Sequence, residues 1–173
     1  MVGAMTGPHV RALGDADADW LRAVLLERWG GEPIVGRGRA HRVGDLEGFV
    51  ASIGDEPAGV LTYRIDADVC EIVTLDAFRE GVGVGHALVE AVTARARAAG
   101  ARTLLVMTTN DNLGALRFYQ RAGFRLSELR PGAVDEARRV KPTIPPIGYD
   151  DIAIRDELDL VRNLSDDPPP VAG

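Results

Sequence analysis

Hydrophobic positions in the first half of the chain follow the two-residue period of β-strands. Three apolar runs rich in β-branched residues predict strands over 49–53, 59–65 and 69–75. Between the first two runs stands Gly54-Asp55-Glu56-Pro57, a turn sequence that makes an antiparallel hairpin the simplest arrangement. The sequence therefore predicts a small antiparallel unit before residue 76.

From Gly85 onward the period of the apolar positions changes. Apolar residues recur at helical spacing over 85–99 and again over 112–122, and an uncharged apolar run at 103–107 between them predicts a buried strand. A further strand is predicted at 124–129. The middle of the chain is thus a series of strand, turn, helix, strand and helix.

The flanking segments are less regular. A short strand at 10–13 precedes a helix that Gly30-Gly31 ends, and its apolar stripe is Trp20, Leu21, Val24, Leu25 and Trp29. Residues 32–45 alternate glycine with arginine and predict a mobile basic loop. A short helix is predicted over 133–141, and the alternation over 152–160 predicts a half-buried strand with Asp156 on its apolar side.

Length and composition bound the class of protein. The 173 residues suit one domain over residues 1–164, followed by an acidic, proline-rich tail at 165–173 that is expected to be disordered. The start of the chain lacks the pattern of a secretory signal, and no apolar run approaches the ~20 residues of a membrane span, so we expect a cytoplasmic protein without a membrane partner. The net charge of −6, with acids and bases interspersed, argues against nucleic acid as a partner.

One cysteine and one glycine-rich turn are the first candidates for chemistry. Cys70 lies in an apolar run and is interpreted as a small core residue. Residues 79–88 join a predicted strand to a helix through Gly81, Gly83 and Gly85, so backbone N–H groups at the positive end of the helix dipole can approach a pyrophosphate. A tight turn alone explains the glycines about as well. The spacing excludes the dinucleotide motif G-x-G-x-x-G, and the absence of Gly-Lys-Ser/Thr excludes a nucleoside-triphosphate loop.

The second predicted helix carries a more specific pattern. Asn112 is an N-cap residue, Gly123 a C-terminal glycine, and Tyr119 lies on the apolar face between them. From the residues alone, Tyr119 is equally well a core aromatic or a functional hydroxyl.

Together the two motifs resemble those of the GNAT N-acetyltransferases. The family's loop Gln/Arg-x-x-Gly-x-Gly/Ala is matched by Gly83-Val84-Gly85, and its signature Asn-x-x-Ala-x-x-x-Tyr-x-x-x-Gly-Phe is matched at all fixed positions from Asn112 to Phe124. The resemblance covers residues 47–128. It departs at Glu80, where the family usually has Gln or Arg, so either Arg79 substitutes or phosphate binding rests on backbone donors.

The resemblance implies an α/β fold with a central, twisted, mixed sheet, whose parallel strands splay to admit the coenzyme and whose two faces carry helices. It implies acetyl-CoA as co-substrate, with no metal. The coenzyme-binding residues that it implies are Val73, Leu75, Arg79, Gly81, Val82, Gly83, Val84, Gly85, His86, Asn112 and Tyr119. Tyr119 is expected to protonate the departing thiolate, and Glu71 is the predicted general base, with Asp76 and Asp156 as alternatives.

The predicted activity is transfer of the acetyl group to a primary amine by direct attack in a ternary complex. The acceptor, a small molecule or a protein amine, stays open among polyamine, aminoglycoside, amino acid and protein N-terminus. In the family its walls come from the first helices and late loops, here 20–43 and 131–150. A non-catalytic acetyl-CoA sensor or assembly module, a longer acyl-CoA donor and a homodimer are also left open.

Overall fold

The structure, a computed structural model, describes residues 7–165. Its strands and α-helices follow one another in the order β1 His9–Ala12, α1 Ala18–Trp29, β2 Ile34–Gly36, β3 Arg39–His41, β4 Glu47–Ile53, β5 Glu56–Asp66, β6 Val69–Ala77, α2 Val84–Ala98, β7 Thr103–Thr109, α3 Leu113–Arg121, β8 Arg125–Arg130, α4 Ala133–Val140 and β9 Glu157–Asn163. The predicted hairpin and the strand, turn, helix, strand and helix series are both confirmed.

Seven of these strands form one mixed sheet in the order β1-β4-β5-β6-β7-β9-β8, and β2 pairs only with β3. Neighbouring strands of the large sheet are antiparallel, apart from the parallel pair β6 and β7. A parallel pair needs a crossover, and α2 supplies it. The mixed sheet with helices on both faces, which the resemblance implied, is confirmed.

Pairing between β6 and β7 covers only the first half of each strand. It runs from Val69 opposite Thr103 to Ile72 opposite Val106. Beyond that point β6 stays paired with β5, and β7 stays paired with β9, but the two strands no longer pair with each other. The sheet therefore opens into a cleft at the carboxyl ends of its two central strands.

Two apolar clusters cover the two faces of the sheet. Consecutive residues of a strand point to opposite faces, and Leu61 of β5 packs in the cluster beneath α2 and α3, whereas Val60 packs in the cluster beneath α1. Leu88 and Val92 of α2 and Leu25 of α1 are fully buried. Each helix thus holds one face of the same sheet.

The segment predicted as a mobile loop over 32–45 is instead ordered, so that prediction was wrong. It forms the β2–β3 hairpin and a short 3₁₀ turn at Val43–Asp45. Ile34 and Val43 are buried against α1, and Arg37 forms an ion pair with Asp159 of β9. The glycines shape turns here, while the apolar and charged contacts fix the segment to the sheet.

The last predicted strand begins later than expected. Residues 152–156 contribute only an isolated bridge between Ile147 and Ala153, and β9 starts at Glu157. The Asn110 side chain explains the difference, because it bonds the Ala153 carbonyl and the Arg155 and Asp156 amides in place of a neighbouring strand. Of the tail predicted to be disordered, all but Ser165 lies outside the described residues.

No α-helix within residues 7–165 combines the length and the apolar character that crossing a membrane requires.

Gly59 of β5 marks the closest approach of the sheet to α2. A Cβ atom there would lie 2.5 Å from Val84 Cγ1 and 2.7 Å from the Asp76 carbonyl oxygen. We therefore expect Gly59→Ala to lower the free energy of unfolding by about 1–3 kcal/mol, because a backbone oxygen cannot move aside as a side chain can. Chemical denaturation measures it. Gly44→Ala is the matched control, since no atom lies within 4 Å of its Cβ position; equal stability of the two variants would contradict the packing argument.

Candidate functional site

A cavity of about 290 Å³ extends inward from the cleft between β6 and β7. Its volume is close to the lower limit of roughly 300 Å³ that is usual for small-molecule sites. The unpaired ends of β6 and β7, α1, α3, α4 and the segment after α4 all contribute to the wall. Its lining includes Arg28, Trp29, Val35, Val73, Leu75, Asp76, Met107, Asp111, Asn112, Tyr119, Val134, Ala137, Lys141, Ile144, Tyr149, Ile154 and Glu157.

The glycine turn lies between β6 and α2. Gly81 and Gly83 have φ angles of 75° and 83°, a left-handed conformation that favours glycine, and Gly83 is the N-cap of α2. The first hydrogen bond of the helix is from the Ala87 amide to the Gly83 carbonyl. The amides of Val84, Gly85 and His86 therefore have no partner within the helix, and they are available to an anion at the positive end of the helix dipole.

Side chains around this turn add a basic hollow next to it. Glu80, His86, Gly114, Arg117, Phe118, Arg121 and Ala122 line the hollow, which lies between the start of α2 and α3. Gly85 packs against Phe118, because a Cβ there would lie 3.1 Å from two ring atoms. Arg117 and Arg121 were not predicted as site residues; their signal in the sequence is a pair of arginines four residues apart on one helix face.

Two side chains predicted to bind the coenzyme face elsewhere. Arg79 is exposed and forms an ion pair with Glu56 at the start of β5, and the Val84 side chain is buried in the core. Only their main-chain groups belong to the turn. Val73 and Leu75, in contrast, line the cavity on the half of β6 that β7 leaves unpaired.

Tyr119 is buried and lies in the cavity wall. Its ring makes edge-to-face contacts with Phe118 and Phe124, which fix its position on α3. Burial raises the pKa of its hydroxyl, and the charge of Asp76 raises it further. The side chain therefore stays protonated at neutral pH. Asn112 begins α3 as predicted, since its Oδ1 accepts a hydrogen bond from the Ala115 amide at 3.0 Å.

Asp76, at the end of β6, lines the same cavity. The Trp29 indole Nε1 donates a hydrogen bond of 2.6 Å to its Oδ2. Burial raises the pKa of this carboxyl, and the Trp29 hydrogen bond and the nearby Arg28 charge partly oppose the rise. A carboxyl with a raised pKa beside a protonated tyrosine is a group suited to accept a proton.

Glu71 is not among the residues that line the cavity. It is buried on β6, where Arg64 Nε lies 2.8 Å and Arg37 Nη1 3.6 Å from its carboxylate oxygens. Its catalytic role stays a prediction, which this geometry does not favour. Asp156 is half-buried, and its Oδ1 accepts a hydrogen bond from the Gly132 amide at 2.8 Å, a backbone contact that explains the position of this side chain without a catalytic role.

Cys70 is fully buried, and burial raises the pKa of its thiol to about 12. Its interpretation as a core residue is confirmed.

The far wall of the cavity comes from the two ranges expected to hold an acceptor. Arg28, Trp29 and Val35 lie in 20–43, and a second group lies in 131–150, namely Val134, Ala137, Lys141, Ile144 and Tyr149. None of these side chains was predicted from the sequence to be a site residue. The one signal among them was Lys141, the sole lysine of the chain. Among residues 7–165, no three His, Cys, Asp or Glu side chains are grouped so that they could hold a metal ion.

Comparison with known proteins agrees with this geometry. The family model for the acetyltransferase (GNAT) family matches residues 15–124, more than half of the chain. The chain is 37% identical over 147 residues to the uncharacterized protein YxbD of Bacillus subtilis (strain 168), an alignment covering 84% of this chain and 92% of that protein. It is 38% identical over 135 residues to the uncharacterized protein YdhI of the same strain, covering 78% and 84%.

Solved structures share the fold. An IAA acetyltransferase from Bacillus cereus ATCC 14579 superposes with a TM-score of 0.72 at 21% identity, over 91% of this chain and 99% of that one. A GNAT family acetyltransferase from Elizabethkingia anophelis with acetyl-CoA bound gives a TM-score of 0.69 at 18% identity, over 91% and 98%.

Proposed function

Because the chain belongs to the acetyltransferase (GNAT) family, we propose that it transfers the acetyl group of acetyl-CoA to the primary amine of a small molecule, by direct attack in a ternary complex. The observation that carries the proposal is the opening of the sheet between β6 and β7. It brings Tyr119 and Asp76 to one cavity, and the chain runs from the end of β6 beside this cavity into the glycine turn that begins α2.

The coenzyme enters along the cleft with its pyrophosphate at the Gly81–His86 turn. Three amides at the start of α2 face it, and Arg117 and Arg121 of the neighbouring hollow add positive charge. Glu80 at the usual Gln or Arg position leaves this main-chain site intact. The pantetheine arm then pairs with the free edge of β6 at Val73 and Leu75, as a strand would. The Elizabethkingia protein, which has acetyl-CoA bound in a similar fold, supports acetyl-CoA as the ligand.

Tyr119 is the proton donor to the leaving thiolate. The amine nitrogen attacks the thioester carbonyl carbon, the carbon–sulfur bond breaks, and the sulfur takes the Tyr119 proton, so that CoA leaves as the free thiol. At neutral pH the Tyr119 hydroxyl carries this proton. Main-chain N–H groups on the free edge of β6 stabilise the developing charge on the carbonyl oxygen.

Asp76 is the general base that this cavity favours. It lines the cavity and lies close enough to Tyr119 for its charge to raise the pKa of the tyrosine. Of the two other candidates, Glu71 is held by two arginines outside the cavity lining and Asp156 by a backbone amide. Asp76 takes the proton that the amine loses as it attacks, and this proton can return to the tyrosinate.

Calorimetric titration tests the coenzyme site. We expect binding of acetyl-CoA and of CoA with dissociation constants on the order of micromolar, and no heat with NAD, because the turn lacks the dinucleotide spacing. Gly83→Val is the matched variant, since its left-handed backbone resists a β-branched residue and should weaken both ligands. If wild-type protein binds neither acetyl-CoA nor CoA, the proposed function is wrong.

Tyr119→Phe tests the proton donor and separates an enzyme from a sensor that only binds acetyl-CoA. We expect kcat to fall about 10²-fold or more, with little change in the dissociation constant of CoA, because only the hydroxyl is removed. Release of CoA with a chromogenic thiol reagent gives the rate. The control is Tyr63→Phe, a buried tyrosine stacked on Phe49 away from the cleft. An unchanged rate in Tyr119→Phe would remove its assigned role.

Asp76→Asn tests the base. We expect the rate of acetyl transfer to fall about 10²-fold or more. In the wild type, kcat/KM should fall as the pH is lowered through the raised pKa of Asp76, since the base acts only when ionised.

The same variant should stay as stable as the wild type at neutral pH. A raised carboxyl pKa means that the folded state disfavours the charge above that pKa, and asparagine removes the charge while still accepting the Trp29 hydrogen bond. Thermal unfolding at pH 5 and pH 8 checks this.

Glu71→Gln is the comparison for the assignment of the base. If Glu71→Gln loses the rate of acetyl transfer and Asp76→Asn keeps it, the base is Glu71.

A further inference from the structure

The Lys141 ammonium is a buried charge with an unusual set of partners. The side chain is 7% exposed and lies in the cavity wall. Its Nζ donates hydrogen bonds to the Trp29 and Gly31 carbonyls, both at 2.5 Å. Burial lowers the pKa of the ammonium, and no acidic group opposes this shift. A buried cation without an anion is costly, so the site favours an anionic ligand.

Capping of α1 accounts for part of this arrangement. Trp29 is the last residue of α1 and Gly31 lies just beyond its C-cap, so both carbonyls stand at the end of the helix where the dipole is negative and a cation is favourable. An ammonium has three N–H donors, and the two carbonyls use two of them. The third is left for a group in the cavity.

The carboxylates of the cavity wall already accept hydrogen bonds from groups of the protein. Asp111 already accepts hydrogen bonds from the Thr109 hydroxyl and the Tyr149 amide, and Glu157 accepts them from the Arg37 amide and from Arg130. Asp76 accepts only the Trp29 indole. These carboxylates thus have donors within the protein, Arg28 lies near enough to Asp76 for its charge to oppose the rise in the pKa of that carboxyl, and Lys141 is a cation of this wall whose hydrogen-bond partners are carbonyl groups.

Arg28 is a second cation of the cavity wall, and its charge lies near Asp76. Arg28 lines the same cavity as Lys141, and its guanidinium carbon lies 4.7 Å from the centre of the Phe78 ring. Within residues 7–165 it makes no ion pair with a carboxylate.

We propose that the acceptor is a free α-amino acid with an apolar side chain, whose carboxylate binds Lys141 and Arg28 while its amine faces Asp76. This inference rests on the proposed function. Trp29 contacts both groups, because its carbonyl accepts a hydrogen bond from Lys141 and its indole donates one to Asp76. Both groups line the same cavity, so the carboxylate and the amine of one acceptor can each face one of them.

Apolar side chains complete the match. Met107, Val134, Ala137, Ile144 and Ile154 line the rest of the cavity. A polyamine or an aminoglycoside would bring a second ammonium towards Lys141 and Arg28, where like charges repel. A protein N-terminus carries no carboxylate on its first residue. The charge pattern therefore selects one of the four acceptor classes that the sequence left open.

The test compares acceptors that differ only in the carboxylate. With acetyl-CoA as donor, CoA release is measured with L-leucine, L-leucinamide, 3-methylbutylamine and spermidine, and each kcat/KM is corrected for the fraction of unprotonated amine. L-valine, L-methionine and L-phenylalanine extend the amino-acid series. We expect the best amino acid to exceed its amide and its decarboxylated amine by about tenfold or more, as a charge-assisted hydrogen bond would give.

Lys141→Met should abolish this preference by raising KM for the amino acid, with no comparable effect on 3-methylbutylamine. Arg139→Met is the matched control, because Arg139 is an exposed cation of α4 paired with Glu136 and should leave the preference unchanged. If Lys141→Met does not fold, the comparison of acceptors with the wild-type protein still decides.

Two results would overturn the inference while leaving the proposed function in place. One is a decarboxylated amine, an amide or spermidine that matches or exceeds every amino acid. The other is a Lys141→Met variant that folds and keeps the preference. If none of the amines releases CoA, the inference fails, and the titration with acetyl-CoA and CoA decides the proposed function separately.

Discussion

The hydrogen bonds between β6 and β7 end at Ile72 and Val106, and the site depends on that interruption. If β6 and β7 were paired along their whole length, the backbone groups on their facing edges would bond each other and the cavity between them would be closed. Each strand keeps its outer neighbour, so the free edges are held rigidly even though they do not hold each other. A pre-formed cleft of this kind spares a ligand the cost of ordering its site.

Charged groups stabilise the opening from one side. Arg37 on the β2–β3 turn bonds Glu71 of β6 and Asp159 of β9, and Arg130 of β8 bonds Asp159 as well. Removing one partner of such a buried set would leave the other charge uncompensated, which is strongly unfavourable. Glu71 therefore has a structural role: through Arg64 and Arg37 it connects β6 to β5 and to Asp159 of β9, on either side of the place where β6 and β7 separate.

The sequence predicted what lies close together along the chain. The hairpin, α2, α3, the Asn112 cap and the glycine turn depend on residues within a few positions of one another, where spacing and capping chemistry act directly. The predictions from the sequence were wrong where residues far apart in the chain contact each other in the fold. Arg37 fixes a segment predicted to be mobile through contacts more than 120 positions away, and Asn110 replaces a strand across 43 positions or more.

The site divides in the same way. Tyr119 and the turn were found through local motifs, whereas Asp76 was only an alternative and Trp29 and Lys141 were overlooked. Their environment comes from contacts such as that of Lys141 with the end of α1, 112 positions earlier. A glutamate in an apolar strand is equally consistent with a base and with a partner for arginines, and only the fold shows that Arg64 and Arg37 are near.

The two ends of the cleft present different kinds of chemical group, and this bears on how such a protein can evolve. At the glycine turn, the first amides of α2 belong to the main chain, so a side chain there, such as Glu80, can change while these donors stay in place. At the far wall of the cavity, the groups that can recognise an acceptor are side chains. A single substitution at Lys141 removes its charge. Descendants of this fold can therefore diverge in the molecules they modify while inheriting the same donor.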